Sequence, residues 1–280
     1  MSLIKFNNFH FRYKGNEEYA LQNINLKINS NKFILLAGET GSGKTSLIRC
    51  MNGLIPQFYA GYYKGSVEVS GKDTSTTPIA DLSTEIGIVF QNPENQLIAM
   101  NVEHEIAFGM ENIGIPRNII KERIKEVVEL TGIENILHKA PFELSGGEQQ
   151  RVAIASILAL NPKTIILDEP TASLDPLFAF KIINLLKAIQ IEKDLTIIIS
   201  EHRMDLVLPL VDDIILMQNG KIVAHDIKEN IINGEHFQNL RINKPIIYSI
   251  FKELKDQNKF IEKIPISVDE ALKSLKQIYQ

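Results

Sequence analysis

Two separated stretches carry chemistry that depends on residue type and spacing. The first, "GETGSGKT" at 38–45, follows the apolar run "FILLAG" and opens the helical pattern "KTSLIRCMNGL". It fits G-x-x-x-x-G-K-[ST]. Gly38, Gly41 and Gly43 let the backbone curl until several N–H groups and a helix N-terminus point at one anion. With Glu39, Thr40, Ser42 and Ser46 completing the loop, that anion is expected to be the phosphate chain of a nucleotide. Lys44 would reach its β and γ phosphates, and the Thr45 hydroxyl would ligate magnesium. Asp168 ends a second apolar strand, "TIILD", and supplies the carboxylate that a magnesium nucleotide site needs on a neighbouring parallel strand. Glu169, one residue further on, is positioned to polarise an attacking water. The plain alternatives are a tight glycine turn and an ordinary strand end; the pairing of the two motifs disfavours both.

The elements that must hold these residues can be read from hydrophobic period. Residues 3–38 pattern as short strands, ending in a continuous apolar run suited to a buried parallel strand. "KGSVEVSGK" (64–72) alternates as an exposed hairpin, and "EIGIVFQN" (85–92) is again strand. From Val102 to about Gly132 the period is helical, broken by "GIP" at 114–116. A helix over about Gly146 to Leu160 leads to the strands "TIILD" (164–168) and "LTIIIS" (195–200), with a helix between them. This alternation predicts a parallel sheet covered on both sides. "DIILMQNGKIVAHD" (213–226) is a hairpin turning on Asn219-Gly220. Residues 227–280 carry short helical pieces, read as a small appended domain or tail.

Composition bounds the function. Hydrophobic residues are 44% and charged residues 23% of the chain, the balance of a globular domain rather than a disordered or membrane-embedded one. No run approaches the roughly 18 consecutive apolar residues of a membrane span, and the opening residues lack the apolar core of a signal peptide; the chain is expected in the cytoplasm. A net charge of −4 provides no field to attract nucleic acid. The single cysteine, Cys50, falls on the apolar pattern of the helix after the glycine loop and reads as a core thiol. The histidines form no metal-ligand spacing. A guanine reader of the Asn-Lys-x-Asp type is disfavoured, since the nearest stretch, "NKPI" at 243–246, has Ile246 in place of the aspartate.

A second glycine-rich helix start, "ELSGGEQQR" at 143–151, needs its own explanation. Ser145 and Glu148 form a capping box, and Gly146 and Gly147 leave the helix N-terminus bare to an anion. The whole string, followed thirteen residues after Arg151 by "TIILDEP", resembles the nucleotide-binding subunit of ABC ATPases over residues 3 to about 226. The resemblance implies an α/β fold, a phosphate-loop NTPase of the ABC ATPase type. Its RecA-like parallel-sheet core would carry an N-terminal antiparallel β subdomain, a helical subdomain at about 93–160 and, outside 1–226, the small C-terminal appended domain. It also implies ATP and Mg2+ as ligands and a head-to-tail pair, in which each ATP on one chain's phosphate loop is capped by the other chain's Ser145, Gly146 and Gly147. Glu148 stands where the family commonly has glutamine, and in a capping box it would turn back to its own helix start.

By the same resemblance Tyr13 stacks on adenine and Gln91 senses magnesium and links nucleotide to the helical subdomain. Asp175 in "TASLDP" would speak across the dimer interface, and His202 would contact the γ-phosphate. Soluble ABC machines of translation or DNA repair have other architectures, two ATPase halves in one chain or a long coiled coil between the motifs, so transport is favoured. "QNPENQL" (91–97), "FGMENIG" (108–114) and "SEHRMDLVLPLVDD" (200–213) resemble the ATPases of energy-coupling factor importers, which include cobalt and nickel systems. The implied partners are a second ATPase subunit, identical or paralogous, a transmembrane scaffold docking in the groove of 91–115, and a small membrane substrate-capture protein. No nucleic acid is expected, and the implied location is the cytoplasmic face of the membrane.

Overall fold

The computed structural model describes residues 2–258 and 263–278. Ten strands form two sheets: β1 (Ser2–Tyr13), β2 (Leu21–Asn29), β3 (Phe33–Gly38), β4 (Gly61–Val69), β5 (Lys72–Asp73), β6 (Ile86–Val89), β7 (Thr164–Asp168), β8 (Thr196–Ser200), β9 (Asp213–Gln218) and β10 (Lys221–Ile227). Helices α1 (Lys44–Met51), α2 (Leu54–Gln57), α3 (Ile79–Ser83), α4 (Val102–Asn112), α5 (Arg117–Thr131), α6 (Gly146–Leu158), α7 (Pro176–Glu192) and α8 (Met204–Val207) lie between them. Four more, α9 (Lys228–Asn233), α10 (Glu235–Asn239), α11 (Ile246–Asp256) and α12 (Val268–Ile278), follow.

The antiparallel sheet runs β2-β1-β4-β5 and the larger one β10-β9-β3-β8-β7-β6. In the latter β9, β3, β8, β7 and β6 are parallel and only β10 runs the other way. Its central strands β3, β7 and β8 are buried at every position and mostly apolar because both faces are covered. Ile34, Leu36, Ile166, Ile198 and Ile215 face α1 and the antiparallel sheet, where Phe6, Phe11, Leu47 and Cys50 complete the cluster. The alternate residues Phe33, Leu35, Ile165, Leu167, Ile197 and Ile199 face the cluster formed with α4 to α8. Cys50 is fully buried and burial raises its thiol pKa, as expected of a core thiol.

Local chemistry sets the boundaries. Asn219 and Gly220 both have positive φ, 49° and 72°, as a two-residue turn of the predicted type requires, and β9 and β10 pair across them. Helix α5 starts after Pro116 and ends at Gly132 in the left-handed region. Phe237, Leu240, Tyr248 and Phe251 are buried in the same cluster as Met204 and Val207 of α8, so this segment shares the main core.

Strand β6 lies so close to α6 that a Cβ on Gly87 would stand 2.0 Å from Ile157 Cγ2. Gly87→Ala is therefore expected to lower stability by about 1–3 kcal/mol, the usual cost of overpacking, read as a lower midpoint in urea unfolding.

Candidate functional site

Register brings the two motifs together. Strand β8 lies between β3 and β7, with Leu36 and Asp168 both opposite Ser200. The phosphate loop leaving β3 and the carboxylate ending β7 thus emerge side by side at the C-terminal edge of a parallel sheet, where such folds bind ligands. The loop needs glycine at Gly43: its φ is 103°, and a Cβ would meet Ala20 O at 2.7 Å. It is braced from outside as well, since Gly220 N donates to Ser42 O at 3.0 Å.

Lys44 curls back, its Nζ donating to Gly38 O at 2.9 Å and Glu39 O at 3.1 Å. Burial lowers its pKa from the ordinary lysine value, against the pull of the Glu169 and Asp168 carboxylates. The Thr45 hydroxyl donates to Asp168 Oδ2 at 2.9 Å, and the Ser200 hydroxyl holds Asp168 Oδ1. A hollow of about 230 Å³ over the loop is lined by Thr40, Gly41, Gly43, Lys44, Thr45, Ser46, Glu169 and Ala20. Ser42 Oγ is buried without a hydrogen-bond partner. An amide-rich cradle with a buried ammonium fits a polyphosphate, and the hydroxyl and carboxylate oxygens of Thr45 and Asp168 are hard donors that fit Mg2+.

Glu169 has φ +51°, uncommon for a residue with a side chain. Its N–H is held by Ser200 O at 3.0 Å and Ser200 Oγ at 3.1 Å. Its carboxylate accepts from Gln91 Nε2 at 3.0 Å and lies 3.0 Å from His202 Nε2. Gln91, Glu169 and His202, from three different strand ends, therefore meet; among the described residues Gln91 is tied to Glu169, and no hydrogen bond joins it to Asp168 or Thr45. Two residues outside the sequence reading hold this group. Glu201 bonds Thr171 Oγ1, His202 N and Arg203 N, and Ser200 braces the Asp168 carboxylate and the Glu169 backbone N–H. Their only sequence signal is a polar pair closing an apolar strand.

Tyr13 packs edge-on against Phe11, with centroids 4.7 Å apart, and its hydroxyl lies 3.0 Å from Ser46 Oγ. It lines a second hollow beside the loop, with Arg12, Lys14, Gly15 and Tyr62. Ser145, Gly146, Gly147 and Glu148 stand elsewhere: among the described residues no hydrogen bond joins them to 38–46, and none lines the hollow over the phosphate loop. The capping box is formed, Glu148 Oε2 accepting from Ser145 N at 2.8 Å and Ser145 Oγ at 2.7 Å. Those two bonds, with Lys139 nearby, hold the Glu148 carboxyl below the ordinary range. A Cβ on Gly147 would lie 2.8 Å from the Phe178 ring, so this glycine also lets α6 approach α7. Asp175 caps α7, accepting from Leu177 N and Phe178 N.

Two further features border the site. Arg241 N donates to Glu39 Oε1 at 3.1 Å and Ile246 N to Asp205 Oδ1 at 3.0 Å, hooking the C-terminal segment to the phosphate loop and to α8. On the helical side, Leu97, Ile98, Pro141 and Phe142 line a groove of about 420 Å³, with Met100 and Phe142 each 87% exposed. Among the described residues no helix is long and apolar enough to cross a membrane.

The family model described as ABC transporter matches residues 21–172. A relative from Pyrococcus horikoshii, provisionally named ABC transporter ATP-binding protein PH1815, is 38% identical over 280 residues, all of this chain and 98% of that protein. A similarly named protein of Bacillus thuringiensis is 41% identical over 269 residues, and there this chain spans only 47% of the relative's length. Among solved structures, CbiO1 from Clostridium perfringens, part of the ABC transporter complex CbiONQ, is 32% identical with a TM-score of 0.74, covering 84% of this chain and 92% of that one. The cassette MJ0796, solved as a dimer in a post-hydrolysis state with ADP and Pi, is 28% identical with a TM-score of 0.69, covering 80% of this chain and 98% of that one. With both motifs on one sheet edge and the family model covering more than half of its length, the chain belongs to the ABC transporter family as an ATP-binding subunit, an ATPase of the kind that hydrolyses ATP to power transport.

Proposed function

We propose that this chain powers an importer of the energy-coupling factor type, taking up a metal ion such as cobalt or nickel, or a vitamin, by ATP-driven closure of an ATPase dimer. The observation that carries the dimer is the separation of the signature residues 145–148 from the chain's own phosphate hollow. A complete site then draws Ser145, Gly146 and Gly147 from a second ATPase subunit, with Asp175 near the same interface. The importer type is supported by the likeness to CbiO1, part of CbiONQ, and by the stretches 91–97, 108–114 and 200–213. An ATPase of another ABC importer is the second reading.

In this reading Lys44 leaves the Gly38 and Glu39 carbonyls to neutralise the β and γ phosphates, while the loop amides orient them. Thr45 and Asp168 would hold Mg2+, with Gln91 joining them; bound there, the ion neutralises phosphate charge. Glu169 takes the proton of the attacking water, and His202 steadies the γ-phosphate. Tyr13 supplies an aromatic face for adenine. The groove at 97–100 and 141–142 receives cytoplasmic helices of a transmembrane scaffold, which in turn engages a small membrane substrate-capture protein. That docking holds the chain at the cytoplasmic face of the membrane. The segment 227–280 is read as a pairing surface, since Ile246 and Ile250, one helical turn apart, are both exposed, as are Val268 and Leu272. No nucleic acid enters this scheme.

Purification of the full chain from its native cells in gentle detergent tests the reading. Recovery of a multi-spanning and a small integral membrane protein supports it, and recovery of ribosomes or repair proteins alone overturns transport. Lys44→Ala is expected to weaken ATP binding or turnover at least tenfold or so, the charge on the phosphates being lost; equilibrium binding of labelled ATP measures it. Glu169→Gln should bind ATP but turn over roughly 10²–10⁴-fold more slowly, accumulating as a dimer in size-exclusion chromatography. Near-normal turnover would remove Glu169 as the base. Met100→Asp with Phe142→Asp should abolish recovery of the membrane partners while ATP affinity of the purified chain stays as it was.

A further inference from the structure

Glu201 is a carboxylate buried to 4% exposure directly after β8. Burying a charge is costly unless its oxygens are satisfied, and here each of them is. Oε2 accepts from Thr171 Oγ1 at 2.6 Å. Oε1 accepts from His202 N at 2.8 Å and Arg203 N at 3.1 Å. Thr171 is itself fully buried and lies two residues after Glu169.

These contacts sit where the sheet stops. The ladder between β7 and β8 ends at Asp168 opposite Ser200, and beyond it one chain turns toward α7 and the other toward α8. Glu169 N still reaches Ser200; past that point Glu201 ties the two departing segments together. One segment carries Glu169 and the other His202, and their side chains meet at 3.0 Å. Among the described residues no hydrogen bond joins Glu201 to Lys44, Thr45 or Asp168, and it does not line the hollow over the phosphate loop.

We infer that Glu201 is a positioning residue for the hydrolytic step: through Thr171 and the His202 amide it fixes the His202 side chain against the Glu169 carboxylate. It acts on turnover and leaves nucleotide affinity alone. The inference rests on the reading of Glu169 and His202 given above. Misplacing a reacting group by a fraction of an ångström is enough to slow a step that depends on alignment.

The test compares the full-length chain with Glu201→Ala, Glu201→Gln, Thr171→Val and His202→Ala. For each, ATP Kd, kcat, the unfolding midpoint and hydrogen exchange at the His202 and Arg203 amides are measured. Expected for Glu201→Ala is a kcat lower by about tenfold or more, with Kd within about threefold and faster exchange at both amides. Glu201→Gln, which keeps an acceptor for both N–H groups and can donate to Thr171, should recover most of the loss. Thr171→Val, which removes only the hydroxyl, should show a smaller loss of the same kind and keeps the test open if Glu201→Ala does not fold. Wild-type kcat in both Glu201→Ala and Thr171→Val overturns the inference, as does a parallel loss of ATP affinity, kcat and stability. A glutamine variant as slow as the alanine one also overturns it, because the carboxylate would then act by charge. Normal turnover in His202→Ala removes the reading of the site itself, and the inference with it; slow His202→Ala beside normal Glu201→Ala overturns the inference alone.

Discussion

The placement of β8 between β3 and β7 is the constraint on which the rest of this molecule depends. Parallel strands end together, so the loop after β3 and the carboxylate ending β7 are delivered to one edge of the sheet with a single strand between them. Ser200, the last residue of that intervening strand, bonds Asp168 and receives the Glu169 N–H. Thr45 closes the gap with its bond to Asp168. Shift the register by one residue and every apolar strand residue would exchange faces, so core packing and site geometry are specified by the same pairing.

Around this edge the charged groups are satisfied locally: Lys44 is held by two carbonyls and Glu169 by Gln91 and His202. In the proposed reaction Lys44 must leave its two carbonyls for the substrate's phosphates, so for the lysine this is a resting arrangement. A backbone held at φ +51° at Glu169 belongs with this picture, because such conformations persist only where surrounding bonds over-determine them.

Much of the fold and part of the site could be read from the chain alone, for local reasons. The phosphate loop, the capping box at Ser145 and the Asn219-Gly220 turn are each specified by backbone rules within a few residues. The buried parallel strands announce themselves as unbroken apolar runs. What could not be read was nonlocal. Nothing near Glu201 says that its partner is Thr171, thirty residues away, and nothing near Arg241 says that its amide will meet Glu39. The last helices were legible as helices but not as part of the main core, because an amphipathic stripe states that a face is buried and not against what.

The hook between Arg241 and Glu39 joins two parts of the chain that lie about two hundred residues apart in sequence. Gly220 grips the same loop at Ser42, and Ala20 presses on it at Gly43. The phosphate loop is thus braced by three distant segments, around residues 20, 220 and 241. Replacing Glu39 would remove the acceptor of the Arg241 N–H, and with it this tie between the nucleotide loop and the C-terminal segment.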